Sequence, residues 1–148
     1  MKSLYRSILD TDQEVIDNTG ALNVIEDICA VLTRFILKIK FHSMYKVPYP
    51  TATQKQTGLD FYTLSYKLDY SQAFSSFDNI TEDLEDVQKK SRINIELRVL
   101  NDINSIRMII PQLNLEFYLS ISTRSRSASM WFISSKPIIE TIKTILEK

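Results

Sequence analysis

The sequence predicts an α+β fold, an antiparallel β-sheet of four to five strands covered by N-terminal helices and a C-terminal helix. Three observations predict it. Between residues 91 and 133, four short runs alternate apolar and polar residues at the period of a strand. Residues 21–40 and 138–146 place their apolar residues instead at the spacing of one helix face. Helical and strand-like runs are segregated along the chain, an order that favours helices packed on an antiparallel sheet over alternating α/β units. No linker or internal repeat divides the 148 residues, a length suited to a single hydrophobic core, so residues 1–148 read as one domain.

Taken in order, Leu4, Tyr5, Ile8 and Leu9 have helical spacing, and Thr11-Asp12-Gln13-Glu14 has the form of a capping box. Asp17-Asn18-Thr19-Gly20 then punctuates the chain. Val24, Ile25, Ile28, Val31, Leu32, Phe35, Ile36 and Ile39 predict the main helix, with Glu26 and Asp27 near its start and Arg34, Lys38 and Lys40 near its end, as the helix dipole favours. Pro48 and Pro50 end helical structure before them. Residues 51–57 are polar and read as an exposed loop. Tyr62, Leu64, Tyr66, Leu68 and Tyr70 then share one face of a long strand, opposite Phe61, Thr63, Ser65, Lys67 and Asp69. Asp78 is placed to cap a short acidic helix with Ile80, Leu84 and Val87 inward.

The alternating region follows. Ile93, Ile95, Leu97 and Val99 form one strand face, and Ile106, Met108 and Ile110 the next, across the turn-like Asn101-Asp102-Ile103-Asn104. Leu113, Leu115, Phe117, Leu119 and Ile121 carry the clearest alternation, and Met130 to Ile133 follows the polar loop Thr123-Arg124-Ser125-Arg126-Ser127. Pro137 suits a first helical turn, and Ile138, Ile139, Ile142, Ile145 and Leu146 give the last helix its apolar stripe. The main helix is expected to pack on the sheet, burying Ile28, Leu32, Phe35 and Ile36 with Ile95, Leu97, Leu115 and Phe117.

Composition narrows the chemistry. Eighteen basic and 18 acidic residues leave a formal charge of zero, which disfavours wholesale attraction to nucleic acid or anionic lipid. Two glycines are too few for the usual phosphate-cradling loops. One His and one Cys supply neither a metal cluster nor a triad, so no catalytic, metal or cofactor-binding residue is assigned and no cofactor is expected. His42 reads as a residue following a helix end, where a cationic ring favours the dipole and the last carbonyls, and Cys29 as a small buried hydrophobe. Five charges interrupt residues 21–40, too many for a membrane span. The lone cysteine and the lack of an apolar leader suit a cytoplasmic protein.

Two features point outward. Acidic and basic residues are segregated: six acids and no base lie between Arg6 and Arg34, five bases and no acid between Ile28 and Leu59, and six acids within residues 69–86. Such blocks steer a complementary partner, unless they neutralise one another within the fold. Tyrosines are plentiful, and Tyr118 points away from Leu115, Phe117 and Leu119 if its strand is regular. The expectation is a non-enzymatic protein-binding or assembly module, an obligate partner or chaperone-like subunit, contacting its partner through Tyr118, Glu82, Glu85, Asp86, Arg124 and Arg126. A homo-oligomer is compatible with this reading. The alternative is a small-molecule-binding or catalytic domain with a pocket between sheet and helices; single-strand nucleic-acid binding would require bases beside exposed aromatics. In size and helix-sheet-helix order the chain resembles small bacterial secretion chaperones, and residues 115–148 resemble the strand, strand, terminal-helix ending of flagellar hook-length control proteins.

Overall fold

The apolar stripe that begins at Ala21 serves two elements. In the computed structural model, which describes residues 20–147, helix α1 spans Ala21–Phe35 and stops there, and Ile39–Lys46 forms strand β1. The helical spacing of Ile36 and Ile39 coincides with a second pattern, Leu37-Lys38-Ile39-Lys40-Phe41-His42, which alternates apolar and polar residues at period two. The chain follows the second pattern. Ile36 is already extended, and the Gln72 side chain accepts from the Leu37 and Lys38 amides at the break. The expected helix through Lys40 is therefore corrected, and His42 lies exposed at a β-bulge within β1, not after a helix end. The expected turns at Leu4–Leu9 and Thr11–Glu14 lie outside the described residues.

Two further helices replace expected irregular structure. Helix α2, Ala52–Thr57, stands where a loop was expected; Thr51 accepts from the Gln54 amide while Gln54 accepts from the Thr51 amide, and Gly58 closes the helix at φ 73°. After strand β2, Phe61–Leu68, helix α3 runs from Tyr70 to Lys90. Its cap is Asp69, which accepts from the Gln72 amide, so Asp78 is an interior residue and not the start of a short helix. Ala73, Phe77, Ile80 and Leu84 make its buried stripe.

Strands β3 (Glu96–Leu100), β4 (Ser105–Ile110), β5 (Leu115–Ser122) and β6 (Ser127–Ser135) form a meander, and helix α4 (Lys136–Leu146) follows. The same device closes the first two turns: a 3₁₀ turn ended by an asparagine in the left-handed region, Asn104 and Asn114. Among the described residues the sheet has six strands in the order β1-β2-β6-β5-β4-β3, one or two more than expected, and every pairing is antiparallel. The length of α3 has a reason. It carries the chain from β2 to the far edge, four strand spacings or about 19 Å away, which a 21-residue helix of roughly 31 Å spans.

Helices α3 and α4 rest on one face of the sheet, and α1 packs chiefly against those two helices. The covered face carries Leu64, Tyr66, Phe132, Met130, Phe117, Leu119, Ile106 and Met108, all buried and joined with α1 in one core. Phe35 and Leu97, expected in that core, are only half-buried at its margin. Tyr62, Tyr66 and Tyr70 do not share one strand face: Tyr62 and Tyr66 lie on the covered side of β2, whereas Tyr70 begins α3 and stacks on Phe74. The Tyr66 hydroxyl is buried without a hydrogen-bond partner among the described residues. Removing an unpaired buried hydroxyl relieves its desolvation penalty, so Tyr66→Phe is expected to raise stability by about 1–2 kcal/mol in urea melts. A loss of stability would mean that the hydroxyl is satisfied.

Candidate recognition surface

Pairing register assigns each side chain to a face, because residues directly opposite in a ladder share one side of the sheet. The face away from α3 and α4 carries a cross-strand row of Arg98, Arg107, Tyr118, Trp131, Ser65 and Ser43, from β3 to β1. Its centre is a stack. Tyr118 and Trp131 have ring centroids 5.3 Å apart and planes within 14°, and the Arg107 guanidinium lies 5.8 Å over the other face of Tyr118. Arg107 and the Tyr118 hydroxyl both donate to Glu116 Oε1, at 3.5 and 3.1 Å. Burial, then the Glu116 charge, holds the Tyr118 phenol above its ordinary pKa, with Arg107 acting against them. One row along, Lys40, Lys67, Ser129, Ser120 and Ser105 lie side by side.

Helix α2 borders this face at its other end. A cleft of about 440 Å³ opens between them, lined by Thr51, Gln54, Phe61, Ile109, Arg107 and Glu116 among others. Its polar groups are largely engaged already: Thr51 and Gln54 cap α2, and Arg107 pairs with Glu116.

The second exposed feature is the β1 edge. Leu37, Phe41, Tyr45 and Tyr49 are 79%, 44%, 50% and 89% exposed, an unusual density of large apolar side chains on 13 residues. Lys38, Lys40, His42 and Lys46 lie among them with no acid, although Lys46 reaches Asp60 at 3.5 Å. The opposite edge, β3, is five residues long and presents Glu96 and Arg98, charges of the kind that discourage edge pairing.

The six residues expected to meet a partner do not form one surface. Tyr118 lies on the uncovered sheet face, and Arg124 and Arg126 lie in the β5–β6 turn, where Arg126 sits 5.3 Å over the Tyr70 ring. Glu82, Glu85 and Asp86 project from α3 on the other side of the sheet, Glu85 half-buried and the other two exposed. There the acidic and basic blocks meet within the fold, since Arg34 of α1 pairs with Asp83 of α3. Sequence reasoning passed over Trp131, Arg107 and Arg98. Their signal was present, because Trp131 alternates with Met130 and Phe132 as Arg107 does with Ile106 and Met108.

Cys29 is buried, and burial, assisted by the Glu26 charge, pushes its thiol up to about 12. It is unsuited to nucleophilic chemistry in the folded state. Among the described residues no three His, Cys, Asp or Glu side chains gather as a metal-holding group, and no helix is long and apolar enough to cross a membrane. Compared with family models, curated proteins and solved structures, the chain matches none.

Proposed function

We propose that the chain is a non-enzymatic protein-binding module that receives an extended, acidic segment of a partner protein along the β1 edge. The observation that carries this reading is an eight-residue edge strand that displays exposed Phe41 and Tyr45, follows exposed Leu37 and bears cations but no acid. An edge strand offers unpaired backbone groups, and an added strand gains affinity from those hydrogen bonds and specificity from alternate side chains. Apolar side chains of the segment would meet Phe41 on the helix-covered side, and acidic ones would meet Lys40 on the other. A second copy of this chain fits less well, because pairing β1 with itself brings Lys38, Lys40 and Lys46 against like charges. The bulge at His42 interrupts the ladder and so restricts which segments can align.

The rival reading, a small-molecule or catalytic domain with a pocket between sheet and helices, draws support from the 440 Å³ cleft, whose size suits a small ligand. That cleft lies under α2 on the other side of the sheet, and its polar groups are engaged with one another. It contributes less to the reading than the edge does.

The test uses a peptide of about eight residues alternating Asp or Glu with apolar residues. At a concentration near 100 Kd it should slow amide exchange in residues 39–46 about 100-fold. Leu37→Asp with Phe41→Glu should abolish that protection while the circular dichroism spectrum is retained. Equal protection by a lysine-alternating peptide, or none by the acidic one, would remove the basis for the proposal.

A further inference from the structure

The sheet face away from α3 and α4 bears charges that contacts among the described residues do not explain. Arg98 lies directly opposite Arg107, and Lys40 directly opposite Lys67. Like charges directly opposite in a ladder destabilise it. A chain with zero net charge nevertheless places two such pairs on one face, one at each side of the Tyr118–Trp131 stack. Four cations stand there against two acids, Glu96 and Glu116, and Glu116 is already held by Arg107 and Tyr118. Among the described residues neither Lys40 nor Lys67 lies within ion-pair distance of a carboxylate.

Among the described residues the aromatic stack is also unfinished at one end. In the sequence Arg107, Tyr118, Trp131, each member covers one face of the next, and Trp131 receives Tyr118 from the β5 side. Its other face is turned toward β2, where the register partner is Ser65, followed by Ser43 on β1. The indole's register neighbours on that side are therefore two small side chains, which leave more room beside it for a flat ring than large ones would. Lys67 stands two residues along β2 from Ser65, about 7 Å away, and Lys40 is its register partner on β1. A flat ring joined to an anion at that separation describes a nucleotide unit. Among the described residues the face is a sheet surface and not an enclosing cavity, so a lone nucleotide would leave most of its surface in water. A polymer would place further phosphates toward Arg107 and Arg98 and toward the hydroxyls of Ser129, Ser120 and Ser105.

We infer that this face binds single-stranded nucleic acid, one base stacking on Trp131 over Ser65 and Ser43 while Lys40, Lys67, Arg107 and Arg98 meet the phosphates. The neutral total charge does not oppose this, because a strand lying on the face encounters its local excess of cations, and the acidic α3 lies on the far side. The mode is a stacking platform beside an electrostatic track, which tolerates many sequences and excludes duplexes, whose bases are already stacked. The site shares Lys40 with the proposed peptide edge but uses neither Leu37 nor Phe41, so Trp131→Leu, which the edge reading does not involve, separates the two readings.

Trp131 is the sole tryptophan, so intrinsic fluorescence reports on its surroundings directly. Titration at low salt with oligothymidylate and oligouridylate of about eight nucleotides is expected to quench it, with a duplex of equal length binding at least tenfold more weakly. By anisotropy of a labelled oligonucleotide, Trp131→Leu should weaken binding between about 5- and 150-fold, and Trp131→Phe should restore part of the loss. Lys40→Ala with Lys67→Ala should reduce the slope of log K against log salt by about 1.4, two phosphate contacts' worth. Lys89→Ala with Lys90→Ala, on α3, should leave the slope unchanged. Absence of quenching by both oligonucleotides, a slope unaltered by the Lys40 and Lys67 changes, or equal affinity of the Trp131→Leu protein would each overturn the inference. Thymidine monophosphate binding as tightly as the oligomer would replace it with a free-nucleotide site, and quenching by the acidic peptide alone would assign the face to protein.

Discussion

Truncating Phe117 to Ala is expected to lower the unfolding free energy by about 3–5 kcal/mol, the largest effect among the substitutions considered. Phe117 lies on the covered face of β5 with its ring 5.0 Å from that of Phe132, opposite Met108 on β4, and all three are buried. Its removal forfeits the transfer energy of a whole aromatic ring. It also leaves a cavity that two paired strands and an overlying helix cannot close without shifting the ladder. Phe35 provides the contrast within the same molecule. It is half-buried at the end of α1 with the Arg34 guanidinium 5.9 Å over its ring, so its Ala variant should fall well short of the Phe117 value. Urea melts of the two variants measure both numbers. A change below about 1 kcal/mol at Phe117 would place that residue outside the core.

The difference between these two phenylalanines marks what the sequence made legible. Where period two is uninterrupted, as in Leu115 to Ile121, alternation gives the strand, its buried face and the outward direction of Tyr118, and the structure agrees. Where two periods overlap, the reading fails: Ile36 and Ile39 satisfy a helix stripe while Leu37 to His42 satisfies a strand, and a side-chain acceptor from distant Gln72 sits at the break. Two capping signals stand in the sequence, Thr51-Ala52-Thr53-Gln54 before α2 and Asp69-Tyr70-Ser71-Gln72 before α3. They mark helix starts that apolar periodicity does not show, because residues 52–57 have no apolar stripe and Tyr70 continues the alternation of β2.

The recognition surfaces were less legible for a different reason. A pattern along one strand states which residues face outward, but not which outward residues of separate strands become neighbours. Trp131 and Tyr118 are 13 positions apart and stack only because β5 and β6 pair with Tyr118 opposite Trp131. A slip of one residue would have put Trp131 beside a covered-face position. The pairing of Ser65 with Trp131 is further removed still, since β2 joins β6 across the whole of α3 and the meander. Charge blocks along the chain were misleading in the same way, because Arg34 and Asp83, from blocks of opposite sign, neutralise each other in space.

Raising the pH from 9 to 11 is expected to destabilise the wild-type protein by about 2 kcal/mol more than the Cys29→Ala variant. The thiol is pushed from 9.0 up to about 12 in the folded state, first by burial and second by the charge of Glu26. The unfolded chain releases this proton near its ordinary value, whereas the folded chain retains it until the pH approaches 12. Above pH 9 the native state therefore binds more protons at this group than the unfolded state does, and stability falls with pH by about 1.4 kcal/mol per unit. Below pH 9 both states hold the proton and the contribution is constant. Tyr66 adds loss in the same direction, because burial first, then the charge of Glu147, raises its phenol above the ordinary value of 10.0. Comparison with Cys29→Ala rather than with neutral pH alone separates the thiol from the phenol and from the lysines. Urea melts at pH 8, 9, 10 and 11 on both proteins give the two curves. They should run parallel from pH 8 to 9 and diverge above it; curves that stay parallel to pH 11 would mean that the Cys29 thiolate is accommodated in the folded state, and the dry packing of α1 against α3 and α4 would have to be revised.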